Sequence, residues 1–329
     1  MSPASEISEE SPLAAVAEVL SCPVCGRGLV CADRILRCAL GHSFDIARQG
    51  YVSLLTGAAT KLTGDTAAML DARAAFHSAG FFEPIATAVA EAVQRSRPVP
   101  ATPAVHRPSA EGRPGTPSVD GTAPRSGPAS GRELIADIGA GTGYYLARVL
   151  DALPGARGIA LDLAKPAGRR CARAHPRAAA VVADAWRGLP VRDHTLTAAL
   201  SVFAPRNPAA VARALAPGGR YVVVTPTDRH LAELIGPLGM VGVDPAKEAR
   251  LAEAMSGLFT RLDTTAVEYS MTVAHADITH LVAMGPSAHH TAGTGVEELP
   301  EPFEVTASVT VGVYAPTATA SPQLIPPPP

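Results

Sequence analysis

From residue 133 onward, short apolar runs alternate with helix-forming stretches. Residues 133–150 (ELIADIGAGTGYYLARVL) read as a strand, a glycine-rich turn and a helix. Residues 157–175 repeat strand then helix. Residues 179–186 and 195–203 read as two more strands, and 207–226 as a helix, a Pro-Gly-Gly turn and a strand. Antiparallel strands can join through a tight hairpin, whereas parallel strands need a crossover, usually a helix. The alternation therefore predicts a parallel sheet covered on both faces.

The first strand runs through Asp137 into a turn that carries Gly139, Gly141 and Gly143. Glycines let a ligand approach the backbone, and the helix that follows offers free N–H groups. The spacing is G-x-G-x-G, not the G-x-G-x-x-G of dinucleotide sites. Asp162 ends the second strand, placed to accept hydrogen bonds from ribose hydroxyls. Asp184 ends the third, placed for an adenine amino group. Both are also good turn formers at strand ends. Tyr145 and Leu146 open the helix after the loop.

The other concentrated chemistry lies near the start. Of five cysteines, four fall in 22–38. Cys22 and Cys25 form a C-x2-C pair, and Cys38 and His42 a C-x3-H pair, with Gly26 and Gly41 suited to the turns. Two such pairs complete the tetrahedron that Zn(II) favours in a closed structural site. Cys31, midway between the pairs, competes as a fourth ligand but has no partner at turn spacing. Three thiolates and a neutral imidazole leave the site at net −1. Arg27, Arg34, Arg37, Arg48 and Lys61 outweigh that and make the finger mildly basic.

Composition divides the rest. Apolar residues make up 47% of the 329 residues and the net charge is −2, so the chain as a whole is not coated with basic charge. Residues 98–131 are dense in Pro, Gly, Ser and Ala and nearly free of large apolar side chains; such a segment cannot offset its ordering entropy. The expected organisation is a disordered N-terminus (1–20), a zinc-binding domain (21–60), a helical connector (61–97, helices near 65–78 and 83–96), a disordered insertion (98–131), a catalytic domain (132–315) and a disordered tail (316–329). Residues 1–12 lack the positive start and apolar core of a secretory signal. Runs such as 221–226 are too short to span a bilayer. A cytoplasmic chain with reduced thiols and no membrane partner is expected.

The G-x-G-x-G loop, the acid after strand two and Leu-Ala-Pro-Gly-Gly before a strand (215–219) resemble a class I S-adenosylmethionine-dependent methyltransferase. That resemblance implies a Rossmann-like α/β fold with a mixed seven-stranded sheet, here behind a small zinc-binding domain. The finger fused to this core, with GHSFDIARQGYVSLL (41–55), GDTAAMLDARAAFHSAGFFEP (64–84), SVFAPRNP (201–208), VVTPTDRHLAELI (222–235) and VAMGPSAHH (282–290), resembles the 23S rRNA (guanine-N1)-methyltransferases of the RlmA/TlrB type. The likeness runs from Ser21 to about Tyr314, the insertion excepted. It implies S-adenosyl-L-methionine and structural Zn(II) as cofactors, a 23S rRNA hairpin beside the exit tunnel as substrate, and a homodimer. The modified guanine is nucleotide 745 in one branch and 748 in another that is linked to resistance to macrolides such as tylosin. KPAGRRCARAHPRA and FAPRNP look closer to the second branch. By position, the resemblance makes Cys22, Cys25, Cys38 and His42 the zinc ligands and places Phe82, Tyr145, Leu146 and His230 at the cofactor. Phe82 stands where the family has a tyrosine.

Methyl transfer needs the nucleophile held in line with the departing sulfur. Guanine N1 lies on the pairing edge, so the base must be unpaired or flipped out. No catalytic base is identified by the residues. Arg206 lies after the fourth strand, suited to the target pocket or to a phosphate. The same residues leave open a methyltransferase acting on a small molecule and a catalytically silent RNA-binding relative. The glycine spacing disfavours a nicotinamide-dependent oxidoreductase.

Overall fold

The computed structural model describes residues 11–57, 64–97, 133–285 and 295–317; the 98–131 insertion and residues 318–329 fall outside them. The chain opens with a short 3-10 helix, Ala14–Val19, and a three-stranded antiparallel sheet of β1 (Leu29–Ala32), β2 (Ile35–Cys38) and β3 (Ser43–Asp45). Next come β4 (Tyr51–Ser53), α1 (Ala67–Ser78) and α2 (Glu83–Arg95). The expected alternation follows: β5 (Leu134–Ile138), α3 (Tyr144–Ala152), β6 (Arg157–Asp162), α4 (Lys165–Ala174), β7 (Ala178–Val182), β8 (Leu196–Val202), α5 (Pro208–Ala214) and β9 (Leu215–Pro226). The chain ends with α6 (Ala232–Leu238), α7 (Lys247–Met255), β10 (Phe259–Val273), α8 (His275–Ala283) and β11 (Phe303–Pro316).

The large sheet has the order β10-β11-β9-β8-β5-β6-β7-β4. Strands β4 to β9 run parallel, and β11 is antiparallel to both its neighbours. This is the expected mixed sheet with an eighth strand added at one edge. The extra strand comes from the stretch expected to belong to the zinc-binding domain. Val52 is fully buried, Tyr51–Ser53 pair with Ala180–Val182, and Leu54 N–H donates to Val182 O at 2.8 Å. Apolar side chains and open edge hydrogen bonds of β7 together draw this segment out of the ribbon.

The two faces of β5 show how the core divides. Side chains alternate along a strand: Leu134, Ala136 and Ile138 enter one cluster, and Ile135 the other. The Ile135 side is covered by α1 and α2 with α3, α6 and α8. Phe76, Ile85, Val89, Leu146 and Val149 are fully buried there. Helices α1 and α2 are thus a layer on the large sheet and more than a connector. Thr66 caps α1 by accepting from Met69 N–H at 3.2 Å, and Gly80, at φ +84°, ends the α1 corner.

The opposite face is covered by α5, α7, the 3-10 helix and the ribbon. Residues 11–20, expected to be disordered, are ordered by packing. Leu13, Val16, Ala17 and Leu20 are buried, a helical spacing that offers one apolar stripe. Leu20 bridges Val191, Ser21 N–H donates to Pro190 O at 2.9 Å, and Arg192 N–H to Val19 O at 2.9 Å. Leu29 and Leu36 of the ribbon share a core with Val181, Leu189 and Val191. The Pro-Gly-Gly turn is absorbed into β9, where Gly218 takes φ +79° and the ladder to β8 slips between Leu196 and Ala198. At the chain's other end Pro316, placed in the expected tail, closes β11.

Candidate functional site

The ribbon brings together Cys22, Cys25, Cys38 and His42, whose ligand atoms all lie within 4.8 Å of one another. Zinc bonds of about 2.3 Å to sulfur and 2.0 Å to nitrogen in a tetrahedron space the ligands roughly 3.5–3.8 Å apart. Cys25 Sγ–Cys38 Sγ is 3.7 Å, Cys22 Sγ–His42 Nδ1 3.7 Å and Cys38 Sγ–His42 Nδ1 3.3 Å. The set fits Zn(II). Each pair is shaped by its own turn: Gly26 N–H donates to Cys22 O at 2.8 Å and Gly41 N–H to Cys38 O at 3.0 Å. Cys31 sits on β1 opposite Leu36, outside the group. Among the ribbon's basic residues, Arg27, Arg34, Arg37 and Arg48 are exposed, and Lys61 lies outside the described residues. Arg34 also donates to Ala47 O at 2.8 Å and holds the loop after β3.

The glycine loop lies at the carboxyl end of β5. Gly139 takes φ +77°, and a Cβ there would sit 2.5 Å from Ala204 Cβ; one on Gly143, at φ +80°, would sit 2.7 Å from Ala174 Cβ. Only glycine lets the loop approach both neighbours. Asp162 ties this loop to the end of β6. Its Oδ2 accepts from Gly141 N–H at 2.8 Å and its Oδ1 from Ala164 N–H at 2.9 Å. Each carboxylate oxygen has a second lone pair, so Asp162 can still accept from a further donor. Burial raises the Asp162 carboxyl above the usual range.

Asp137 shares the Ile135 side of β5 and is 1% exposed. Its Oδ2 and the Tyr145 hydroxyl are buried with no hydrogen-bond partner among the described residues. Burial, with Asp162 beside it, pushes the Asp137 carboxyl up to about 7. An unpaired buried carboxylate is costly, so this is a place built to receive a cation or a donor. The ammonium of an amino-acid ligand has that chemistry. Leu146 lies in the first turn of α3. Its side chain is fully buried, packed against Gly158, and it serves Asp137 only through its backbone amide.

Beside the loop lies a cluster of rings. Phe82 is buried against Phe76 (centroids 5.0 Å), His230 (5.9 Å) and Phe203 (6.0 Å), and His77 stacks on Tyr144 at 4.2 Å. His230 Nδ1 accepts from Ser308 N–H at 3.1 Å. Burial, then Lys247, pulls His230 down to about 4; burial, then Arg73, pulls His77 to about 3. Burial thus favours the neutral ring at both positions.

The zinc-ribbon family described as RlmA, N-terminal, matches residues 20–58. Over nearly its whole length the chain is similar to two actinobacterial proteins. It is 46% identical to a provisionally named 23S rRNA (guanine-N1)-methyltransferase of Micromonospora griseorubida, covering 90% of this chain and 97% of that one. It is 42% identical to the 23S rRNA (guanine(748)-N(1))-methyltransferase of Streptomyces fradiae, covering 92% and 98%.

The chain belongs to the 23S rRNA (guanine-N1)-methyltransferase family.

A more distant relative, a provisionally named methyltransferase of the same class from Bacillus subtilis (strain 168), is 29% identical over 65% of this chain and 66% of that protein. In this methyltransferase the remaining predicted residues are dispersed. Asp184 accepts from Trp186 N–H at 3.0 Å and lines a cleft of about 800 Å³ between the ribbon and 183–193. Arg206 is half-buried with Nε unpartnered among the described residues, and burial lowers its guanidinium. Several pocket residues had no local signal. Arg73 reaches from α1 to the glycine loop, held by Asp65 (2.6 Å) and Met284 O (2.7 Å), with Nη1 2.8 Å from where a Gly141 Cβ would lie. Ser308 positions His230 from β11. Phe203 carries a positive φ that no residue pattern announces.

Proposed function

We propose that this enzyme transfers a methyl group to N1 of guanine 748 in a hairpin of 23S rRNA and thereby contributes to macrolide resistance. The observation that carries this is the near full-length likeness to the guanine-748 enzyme, together with the glycine loop and ribbon ligands in one fold. S-adenosylmethionine, when bound, supplies an electrophilic methyl whose bonding pair stays with sulfur as the guanine N1 pair forms the new bond. The protein's own part is placement. Gly139, Gly141 and Gly143 admit the cofactor, Asp162 accepts from its ribose, and Asp137 and Tyr145 receive its ammonium. Phe82, His230 and the amide of Leu146 shape the pocket without carrying charge. The N1 proton also leaves, to a carboxylate or to water. Cys22, Cys25, Cys38 and His42 hold zinc, and the exposed arginines of the ribbon meet RNA phosphates.

Homodimer assembly and action in the cytoplasm belong to the same proposal; no helix among the described residues is long and apolar enough to cross a membrane. Primer extension on 23S rRNA from cells with and without the protein tests it. N1-methylguanine blocks pairing, so the polymerase should stop next to position 748 only when the protein is present. A stop next to 745 keeps the enzyme class and removes the resistance inference.

A further inference from the structure

Phe203 follows β8 directly and holds φ at +54°, a left-handed backbone that is an outlier for a bulky side chain. Such strain persists only where the surroundings over-determine it. Here they do. Phe203 N–H donates to Val224 O at 3.4 Å, extending the β8–β9 ladder, and Ala204 is pressed against the glycine loop, where a Gly139 Cβ would lie 2.5 Å away. The backbone is pinned on both sides, and the result is an aromatic ring held outward. Phe203 is 38% exposed, while its neighbours Phe82 (2%) and Tyr145 (7%) are buried. One face of the ring stacks on His230, with centroids 5.6 Å apart and planes at 23°; Phe82 and Tyr145 flank it at 6.0 and 6.4 Å.

We propose that the exposed face of Phe203 is the platform on which the target guanine stacks once it has left its RNA, with His230 and Phe82 backing the ring. The inference rests on the proposed function and deepens it. A base attacked at its pairing edge must leave its partner and its stack, and an aromatic side chain restores the stacking. The loop that carries Phe203 touches the loop that receives the methyl donor, so a base on this ring lies beside the transferring methyl. The backing imidazole is neutral, with Nδ1 committed to Ser308 N–H, so the stack is one of uncharged rings.

Three variants test this on a 23S rRNA fragment: Phe203→Gly, Phe203→Leu and Phe203→Tyr. Glycine adopts the required φ freely, so Phe203→Gly should melt no earlier than the parent. It should bind S-adenosylhomocysteine within about twofold, yet lose roughly tenfold to a hundredfold in kcat/KM for RNA. Phe203→Leu keeps bulk without a ring and should lose as much; Phe203→Tyr keeps the ring and should stay within about threefold. Should the glycine variant lose stability, the leucine and tyrosine pair decides. Methylation kept by Phe203→Leu within about threefold, or a loss tracking weaker cofactor binding, overturns the platform. A parent enzyme that methylates no guanine in the fragment fails the proposed function itself and takes the platform with it, so the two failures are distinct.

Discussion

The ribbon and the methyl-donor pocket both hold polar groups that the chain itself leaves unsatisfied, but they are built in opposite ways. The ribbon's four ligands come from residues 22–42, on two tight turns, and close around a point. The pocket gathers Asp137, Tyr145 and Asp162 with Arg73, His230 and Ser308, from strands and helices spread over most of the chain. A centre made of one local segment depends on its ion for its shape, because three thiols have little else to hold them together. A pocket made by a whole sheet keeps its shape when empty and carries the cost as buried, unpartnered atoms. Removing a ligand should therefore disorder the first and merely weaken the second.

The largest effect expected is at the ribbon. Structural zinc is worth about 10–16 kcal/mol of apparent binding free energy. Cys38→Ser should lose most of the metal on elemental analysis and the amide protection of β1–β3, yet still bind S-adenosylhomocysteine. Cys31→Ser should keep its zinc. Metal lost from Cys31→Ser and kept by Cys38→Ser would reverse the ligand assignment.

The same contrast explains what the residues revealed on their own. The candidate zinc ligands were legible because ligand, turn glycine and partner lie within a few residues, and so was the placing of the glycine loop and Asp162 at the ends of successive strands. Arg73, Ser308 and Phe203 were not. Their roles exist only once α1, β11 and the β8 end converge, and a positive φ at phenylalanine goes against local preference. Residues 11–20 are an intermediate case: the spacing of Leu13, Val16, Ala17 and Leu20 was present, but it follows an acidic Ser/Pro-rich start that reads as disorder. The edge strand β4 was hidden because three residues give no periodicity to count.

At the pocket the effect should be graded. Charge-assisted hydrogen bonds are worth about 1.5–3 kcal/mol each, so Asp162→Ala should weaken S-adenosylhomocysteine by at least about tenfold in calorimetry and leave the zinc in place. Unchanged affinity would confine Asp162 to its bonds with Gly141 and Ala164.

A subtler signature comes from Asp137. Its carboxyl stands near 7 in the folded chain, above its unfolded range near 4. A group raised in this way stabilises the fold fully below the unfolded value, and that contribution is lost as pH climbs from about 4 through 7. An ammonium at Oδ2 favours the carboxylate instead. Binding of S-adenosylhomocysteine at pH 6 should then release a proton, seen as a binding enthalpy that varies with the buffer's ionisation enthalpy, and affinity should rise towards pH 7.5. Asp137→Asn should abolish both trends; their persistence would mean that another group titrates.

The smallest effect concerns the insertion at 98–131, whose composition offers no core. Replacing it with a short Gly/Ser connection should keep methyl transfer within a few-fold, and loss of folding would show that it packs after all.

The central claim is tested most directly by mass spectrometry of nuclease-digested 23S rRNA after incubation with the pure enzyme and S-adenosylmethionine. The account predicts one methyl per molecule, on N1 of guanine 748 in the exit-tunnel hairpin. A methylated adenine or cytosine, or guanine methylated at N7, would contradict it.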